Sequence, residues 1–251
     1  MMVPVSGGEV WAEDSGGAGP ALVLLHPGWG DSSIWDPVVA RLPGRCRVIR
    51  HDVRGYGKSP APSVPYAALD DLAAVLDYCA VSRAVLAGHS GGGGTALQLA
   101  VTDPQRTAAL ILLAPGVPDY PWPEDDPFFR ELGELARAAD RDGIAALGLR
   151  TWAAGGPGPA ALAQVRGAVD AMFRQGDFEQ PGPPAFDRLG EIRVPAVIVT
   201  GELEYPMVAA CCEQIAARIP GSRQITVAGA DHLLPLRAPA EIAGLVRQYL
   251  P

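Results

Sequence analysis

Residues 84–99 have the sequence AVLAGHSGGGGTALQL. An apolar run is followed by a glycine-rich turn, GHSGG at residues 88–92, and then by a segment with helical character. This order of strand, turn and helix is the context in which a G-x-S-x-G pattern marks a nucleophile, because the sharp turn raises the serine above the sheet. Glycines beside the serine leave space where a Cβ would collide with neighbouring backbone. Ser90 is therefore the candidate nucleophile.

Short apolar runs alternate with helical patterns along the rest of the chain, as in a parallel sheet covered by helices on both faces. Their apolarity is continuous rather than alternating, which is typical of strands buried on both sides. The predicted elements are an N-terminal hairpin over Val3–Glu13 and strands over Ala21–His26, Arg47–Asp52, Ala84–His89, Ala108–Ala114, Ala196–Gly201 and Arg223–Ala228. The sequence therefore predicts an α/β fold.

One segment breaks this alternation. Residues 117–188 contain no good strand and instead show three helical patches separated by proline and glycine, at Pro127–Arg141, Asp142–Ala154 and Pro159–Gln175. We expect residues 117–188 to form a helical cap, or lid, on a core made of residues 1–116 and 189–251. Because open parallel sheets bind ligands at the carboxyl ends of their strands, this cap is expected to cover the site.

A serine hydroxyl becomes a good nucleophile only when a base takes its proton and a third group orients that base. His232 follows the last predicted strand and precedes the last helix, which makes it the candidate base. Glu204, three residues beyond the strand Ala196–Gly201, is the preferred acid. Glu202 is the rival carboxylate, and Asp231 is a weaker one.

The other three histidines have structural interpretations. His89 lies inside the glycine-rich turn and is expected to point away from Ser90, and His51 ends a strand. His26 is expected to hold its loop through a backbone hydrogen bond. Adjacent Cys211 and Cys212 fall on a helical apolar stripe, where cysteine usually packs as a small hydrophobe.

The loop after the first parallel strand is the candidate source of a second oxyanion donor. Residues 24–30 are LLHPGWG. We assign the donors to the backbone N–H groups of Trp29 and Gly91. Gly28 is the alternative, because Pro27 has no N–H and disturbs the register of the loop.

These segments resemble the α/β-hydrolase superfamily over the whole chain. The matching stretches are LVLLHPGWGDSSIWDPV at 22–38, HDVRGYGKS at 51–59, LAGHSGGGGTALQLA at 86–100, VPAVIVTGELEYP at 194–206 and VAGADHLLPLRAPAEI at 227–242. The resemblance implies an eight-stranded, mostly parallel sheet flanked by helices, with a helical cap inserted after strand six. It is similar to the lidded esterases and lactonases, and the order serine, acid, histidine matches Ser90, Glu204 and His232. The chain departs from the family's usual pattern in having Pro27 after His26 and glutamate in place of aspartate.

The expected substrate is a small-to-medium hydrophobic ester, lactone or thioester. Aromatic and apolar side chains of the cap suggest an apolar, lidded pocket, and the candidate substrate-binding residues are Trp122, Phe128, Trp152 and Met172. The same site could instead serve an acyltransferase, a C–C hydrolase or a biosynthetic cyclase. A ligand-binding module that retains only the scaffold is a third hypothesis.

The composition limits the classes of protein to which this chain can belong. The chain has 251 residues, of which 48% are hydrophobic and 19% charged, with a formal charge of −8 and no basic run. These values indicate a globular protein and argue against nucleic-acid binding. No apolar stretch approaches the ~20 residues that a membrane span needs, and no signal sequence is visible, so we expect a cytoplasmic protein without membrane insertion. We expect no metal or organic cofactor, and the sequence does not indicate the oligomeric state.

Overall fold

The structure, a computed structural model, describes residues 1–42, 44 and 46–250. Its strands are β1 (Met2–Val5), β2 (Gly8–Asp14), β3 (Ala21–Leu25), β4 (Arg47–His51), β5 (Ala84–His89), β6 (Thr107–Leu113), β7 (Ala196–Gly201) and β8 (Arg223–Val227). They form one eight-stranded sheet in the order β1-β2-β4-β3-β5-β6-β7-β8. The first two strand pairs in this order are antiparallel and the others are parallel. The predicted α/β architecture is confirmed.

Helices flank this sheet. They are α1 (Asp36–Val39), α2 (Ala68–Tyr78), α3 (Gly91–Thr102), α4 (Pro127–Arg137), α5 (Arg141–Trp152), α6 (Pro159–Gln175), α7 (Pro206–Arg218), α8 (Leu234–Arg237) and α9 (Pro239–Tyr249). Short 3-10 helices cover Ser32–Trp35, Pro104–Arg106 and Phe186–Glu191. In the part of the chain that the structure describes, no helix combines the length and apolarity needed to cross a membrane.

The core lies on both faces of the central strands. Every residue of β5 and of β7 is buried, which explains why their sequences are apolar without alternation. Cys211 and Cys212 on α7 have no exposed surface and pack in this core. Burial raises the pKa of the Cys211 thiol to about 12, so this side chain stays protonated and inert.

The segment between β6 and β7 contains the three helices α4, α5 and α6. Two of them start from an aspartate cap. The side chain of Asp126 accepts from the backbone N–H of Phe128, and that of Asp140 accepts from Gly143. The helical content agrees with the expectation for residues 117–188, and the division into core and cap stays a prediction. The patch predicted over Pro127–Arg141 is shorter in the structure, because the chain leaves α4 after Arg137.

Candidate active site

The turn between β5 and α3 holds Ser90 in an unusual backbone conformation. Its φ is +52° and its ψ is −115°, a region that side-chain-bearing residues rarely adopt. The turn is fixed by hydrogen bonds: the N–H of Ser90 donates to Leu113 at 2.9 Å, and its carbonyl accepts from Gly94 and Gly116. Backbone strain of this kind persists only where the surrounding structure imposes it, and it is common at functional sites.

Two glycines close to Ser90 have no room for a side chain. A Cβ at Gly88 would lie 2.5 Å from the carbonyl oxygen of Gly92, and a Cβ at Gly92 would lie 2.5 Å from that of Leu25. Gly91 differs, because the nearest atom to a Cβ there is the backbone nitrogen of Gly28, at 3.7 Å. The residue after Ser90 therefore faces the loop that follows β3.

His232 and Glu204 meet at the carboxyl ends of β7 and β8. Nδ1 of His232 lies 2.9 Å from Oε1 and 3.0 Å from Oε2 of Glu204, and each side chain is 1% exposed. The N–H of Tyr205 also donates to Oε1 of Glu204, at 2.9 Å. Since an ionised carboxylate can only accept, Nδ1 of His232 is the donor in this contact, and in the neutral imidazole Nε2 then carries the lone pair. Nε2 is buried and has no hydrogen-bond partner among the described residues.

The rival carboxylates are occupied elsewhere. Oε2 of Glu202 accepts from the N–H of Gly229 at 2.7 Å. Asp231 forms an ion pair with Arg237 at 2.8 Å and accepts from the N–H of Gly155 at 2.9 Å. Of the three acids considered from sequence, Glu204 is the one whose carboxylate contacts the imidazole of His232.

Two of the remaining histidines, His26 and His89, contact the backbone through their rings. Nε2 of His89 lies 2.7 Å from the carbonyl oxygen of His232, so it donates to the loop that carries the candidate base. Burial lowers the pKa of His89 well below its ordinary value, and its ring stays neutral. His26 lies 2.8 Å from the carbonyl of Pro27 through Nδ1 and accepts from the N–H of Val53 through Nε2. Burial lowers the pKa of His51 to about 4. These contacts support the structural interpretation of His26 and His89.

For the second oxyanion donor the geometry favours Gly28 over Trp29. Gly28 lines a cavity of about 170 Å³ together with Gly91, and its nitrogen is the atom that faces Gly91. The pairing of Gly28 with Gly91 stays a hypothesis, and so does the pairing of Trp29 with Gly91.

The aromatic residues around the candidate site separate into two groups. Trp29, Phe128 and Trp152 form a buried cluster, with Phe128 and Trp152 at a centroid distance of 4.9 Å. The ring of Trp152 lies 4.6 Å from that of His232, so this cluster covers the imidazole.

Trp122 lies apart from this cluster and lines a cavity of about 440 Å³ that also reaches Gly91. Met172 is partly buried and packs against the hydrophobic core. Among the residues proposed from sequence to contact substrate, Trp122 is thus the one that lines a cavity bordering Gly91.

Two polar residues near the candidate site were missed from sequence. Gln164 on α6 accepts from the N–H of Asp31 at 2.9 Å and donates to Ser33 Oγ at 2.8 Å, which fixes the loop after β3. Glu179, just beyond α6, lines both cavities that border Gly91. Gln164 gave a weak signal, since it is a polar residue on the apolar face of a predicted helix; Glu179 gave none.

Comparisons with known proteins show which proteins this chain is similar to. A curated relative from Mycobacterium tuberculosis is 39% identical to this chain over 106 residues. The match covers 40% of this chain and only 30% of the relative. The pimeloyl-[acyl-carrier protein] methyl ester esterase of Aeromonas hydrophila is 28% identical over 260 residues, covering 93% of this chain and 96% of the relative. The solved structure of Est816, an N-acyl homoserine lactone degrading enzyme, is 25% identical with a TM-score of 0.80 and covers 100% of both chains.

A family model extends these matches across most of the chain. The model described as the alpha/beta hydrolase family matches residues 22–245. This range begins in β3 and ends in α9, so it includes the serine turn, the Glu204 loop and the His232 loop. The chain therefore belongs to the alpha/beta hydrolase family.

Proposed function

We propose that this protein is a serine hydrolase that cleaves small-to-medium carboxylic esters, lactones or thioesters through an acyl-enzyme on Ser90. The observation that carries the proposal is the buried contact of His232 Nδ1 with Glu204, which leaves Nε2 without a hydrogen-bond partner in the described part of the chain. The ring of His232 lies 4.9 Å from that of His89, which belongs to the same turn as Ser90. The esterase from Aeromonas hydrophila and the lactone-degrading Est816 support the choice of ester bonds.

In the proposed reaction the Ser90 oxygen attacks the carbonyl carbon while Nε2 of His232 takes the hydroxyl proton. The carbonyl π electrons move to the oxygen, and the N–H groups of Gly91 and of Gly28 or Trp29 stabilise the oxyanion. Collapse of this intermediate expels the alkoxide or thiolate, which receives the proton from His232. Water then attacks the acyl-enzyme by the same steps, releasing the acid and restoring Ser90. Glu204 stabilises the imidazolium at both stages.

Acyl transfer to an alcohol is a second candidate for the deacylation step. The specific observation that favours it is the aromatic cover over His232, whose side chain is 1% exposed. Exclusion of water from an acyl-enzyme favours an organic acceptor.

Turnover of p-nitrophenyl butyrate and octanoate, with and without added butanol, tests the proposal. We expect release of p-nitrophenol with free acid as the main product, because water attacks the acyl-enzyme. Gas chromatography of the products distinguishes acid from butyl ester. Butyl ester as the main product would replace hydrolysis with transfer, and no p-nitrophenol above the buffer rate from either ester would contradict both.

A further inference from the structure

Two cavities open beside the residue that follows Ser90. One has a volume of about 170 Å³ and the other of about 440 Å³. Both are lined by Ala68, Gly91, Thr95 and Glu179. The smaller cavity also contains Gly28, so a substrate held at the candidate oxyanion donors would extend into this space. Glu179 is the acidic residue that both cavities share.

The position of Glu179 is fixed by contacts with the segment before α2. Tyr66 donates its N–H to the carbonyl of Phe178 at 3.0 Å and accepts at its own carbonyl from Gln180 at 2.8 Å. The side chain of Gln175 donates to Oε2 of Glu179 at 2.9 Å and also contacts the hydroxyl of Tyr66. The carboxylate is therefore held in place, although Glu179 as a residue is exposed.

No cation balances this carboxylate within the part of the chain that the structure describes. None of the ion pairs of residues 1–42, 44 and 46–250 includes Glu179, and the buried Arg54 pairs with Asp71 at 2.7 Å. Desolvation raises the pKa of Glu179 above its ordinary value, and the hydrogen bond from Gln175 opposes that shift. Desolvation also raises the pKa of the neighbouring Tyr56 phenol, which lines the smaller cavity and stays neutral.

The other walls of the smaller cavity include apolar groups, such as Leu25, Val53 and Ala68. An aliphatic chain fits this surface. The Glu179 carboxylate has one N–H donor, from Gln175, and no ion-pair partner among the described residues, so a positive charge would stabilise it further. We propose that Glu179 binds a protonated amino group of the substrate, so that the preferred substrates are esters or thioesters carrying an ammonium group. This inference rests on the proposed function and names its substrate class. Substrates with a carboxylate at the same position are disfavoured by repulsion.

Two sets of isosteric esters test this preference. In the first, the acyl chain varies: p-nitrophenyl 6-aminohexanoate, p-nitrophenyl heptanoate and the p-nitrophenyl monoester of adipic acid. In the second, the leaving group varies: the acetates of 4-(aminomethyl)phenol, 4-ethylphenol and 4-(carboxymethyl)phenol. The quantity compared is the ratio of kcat/KM for the ammonium ester to that for its neutral isostere, so that a general loss of activity in a variant cancels.

In at least one set we expect this ratio to exceed about 10 in the wild type, since a tenfold ratio corresponds to about 1.4 kcal/mol. In Glu179→Gln this ratio should fall below about 3, and kcat/KM for the carboxylate ester should rise relative to that for the neutral ester. Asp177→Asn is the matched control, because Asp177 is an exposed acid two residues away, and it should keep the wild-type ratio. Screening by 0.5 M NaCl should lower the ratio in the wild type, which tests the charge effect without any substitution.

Failure of this inference is distinguishable from failure of the proposed function. Neutral esters hydrolysed by the wild type and not by Ser90→Ala, with ammonium ratios near 1 in both sets, would overturn the role of Glu179 alone. A high ratio that survives unchanged in Glu179→Gln would also overturn it. If the wild type and Ser90→Ala hydrolyse the neutral esters at the same background rate, the proposed function itself is wrong.

Discussion

Ser90→Ala is expected to lower kcat/KM for p-nitrophenyl butyrate by at least about 10⁴-fold, because no other group can form the acyl-enzyme. The substitution removes one oxygen from a half-buried turn and leaves its backbone hydrogen bonds in place. The fold should therefore be retained, and the loss should appear in the reaction rather than in folding. Initial rates of p-nitrophenol release, together with a thermal unfolding curve for each variant, measure the two effects separately.

Ser82→Ala is the matched control for this prediction. Ser82 is exposed and lies just before β5, at the opposite end of that strand from Ser90. Its substitution removes the same oxygen from the chain and should leave kcat/KM within about twofold, as is usual for a surface change far from the site. A folded Ser90→Ala variant with more than a tenth of the wild-type rate would exclude Ser90 as the nucleophile.

The second large loss of activity is expected when the candidate acid, Glu204, is substituted. Glu204→Gln should lower kcat by about 10²- to 10⁴-fold, because a neutral amide neither stabilises the imidazolium nor enforces the Nδ1–H tautomer of His232. Glu202→Gln should change kcat less than about threefold, since Glu202 contacts the N–H of Gly229, and an amide oxygen can still accept that hydrogen bond. The two variants differ from the wild type by the same atoms on the same loop. A larger loss in Glu202→Gln than in Glu204→Gln would transfer the role of the acid to Glu202.

Most of the sheet could be predicted because burial on both faces leaves a simple pattern. The strands Ala84–His89 and Ala196–Gly201 have the predicted bounds, and the predicted Arg47–Asp52 ends one residue earlier in the structure, at His51. The ends of the helices were harder to predict than those of the strands. Ala139 has a φ of +52°, which separates α4 from α5, and an alanine gives no sign of that conformation in the sequence. Asp140 caps α5 in the structure, whereas the helix predicted from the sequence began at Asp142.

Within the candidate site, the residues identified from sequence are those tied to strand ends. Ser90 and Glu204 follow the buried strands β5 and β7, and parallel strands bring their carboxyl ends to one edge of the sheet. His232 follows β8, which was expected to be buried but is the edge strand of the sheet and has no buried residue. Glu204 was preferred over Glu202 from its distance beyond the strand, and in the structure its carboxylate is the one that contacts His232. The contact that occupies Glu202, with the N–H of Gly229, joins two loops and could not be read from the sequence.

The contacts that lie far apart in sequence were not predictable. Gln164 reaches Asp31 across 133 residues, and Gln175 contacts Tyr66 across 109. Trp152 packs against His232 in the structure, and its expected contact with substrate stays a prediction. The sequence shows the residue types that make these contacts. It does not show how α5 and α6 pack on the sheet, and this packing decides where each side chain lies.

The central claim is that Ser90 is a nucleophile activated by His232. It is tested most directly by treating the folded protein with a fluorophosphonate and mapping the adduct by mass spectrometry. Such probes react with a serine oxygen whose proton is taken by a neighbouring base. We predict one adduct, on Ser90, that is lost in His232→Ala. Labelling of Ser90 at the same rate in His232→Ala, or a folded wild-type protein with no adduct on Ser90, would contradict the account.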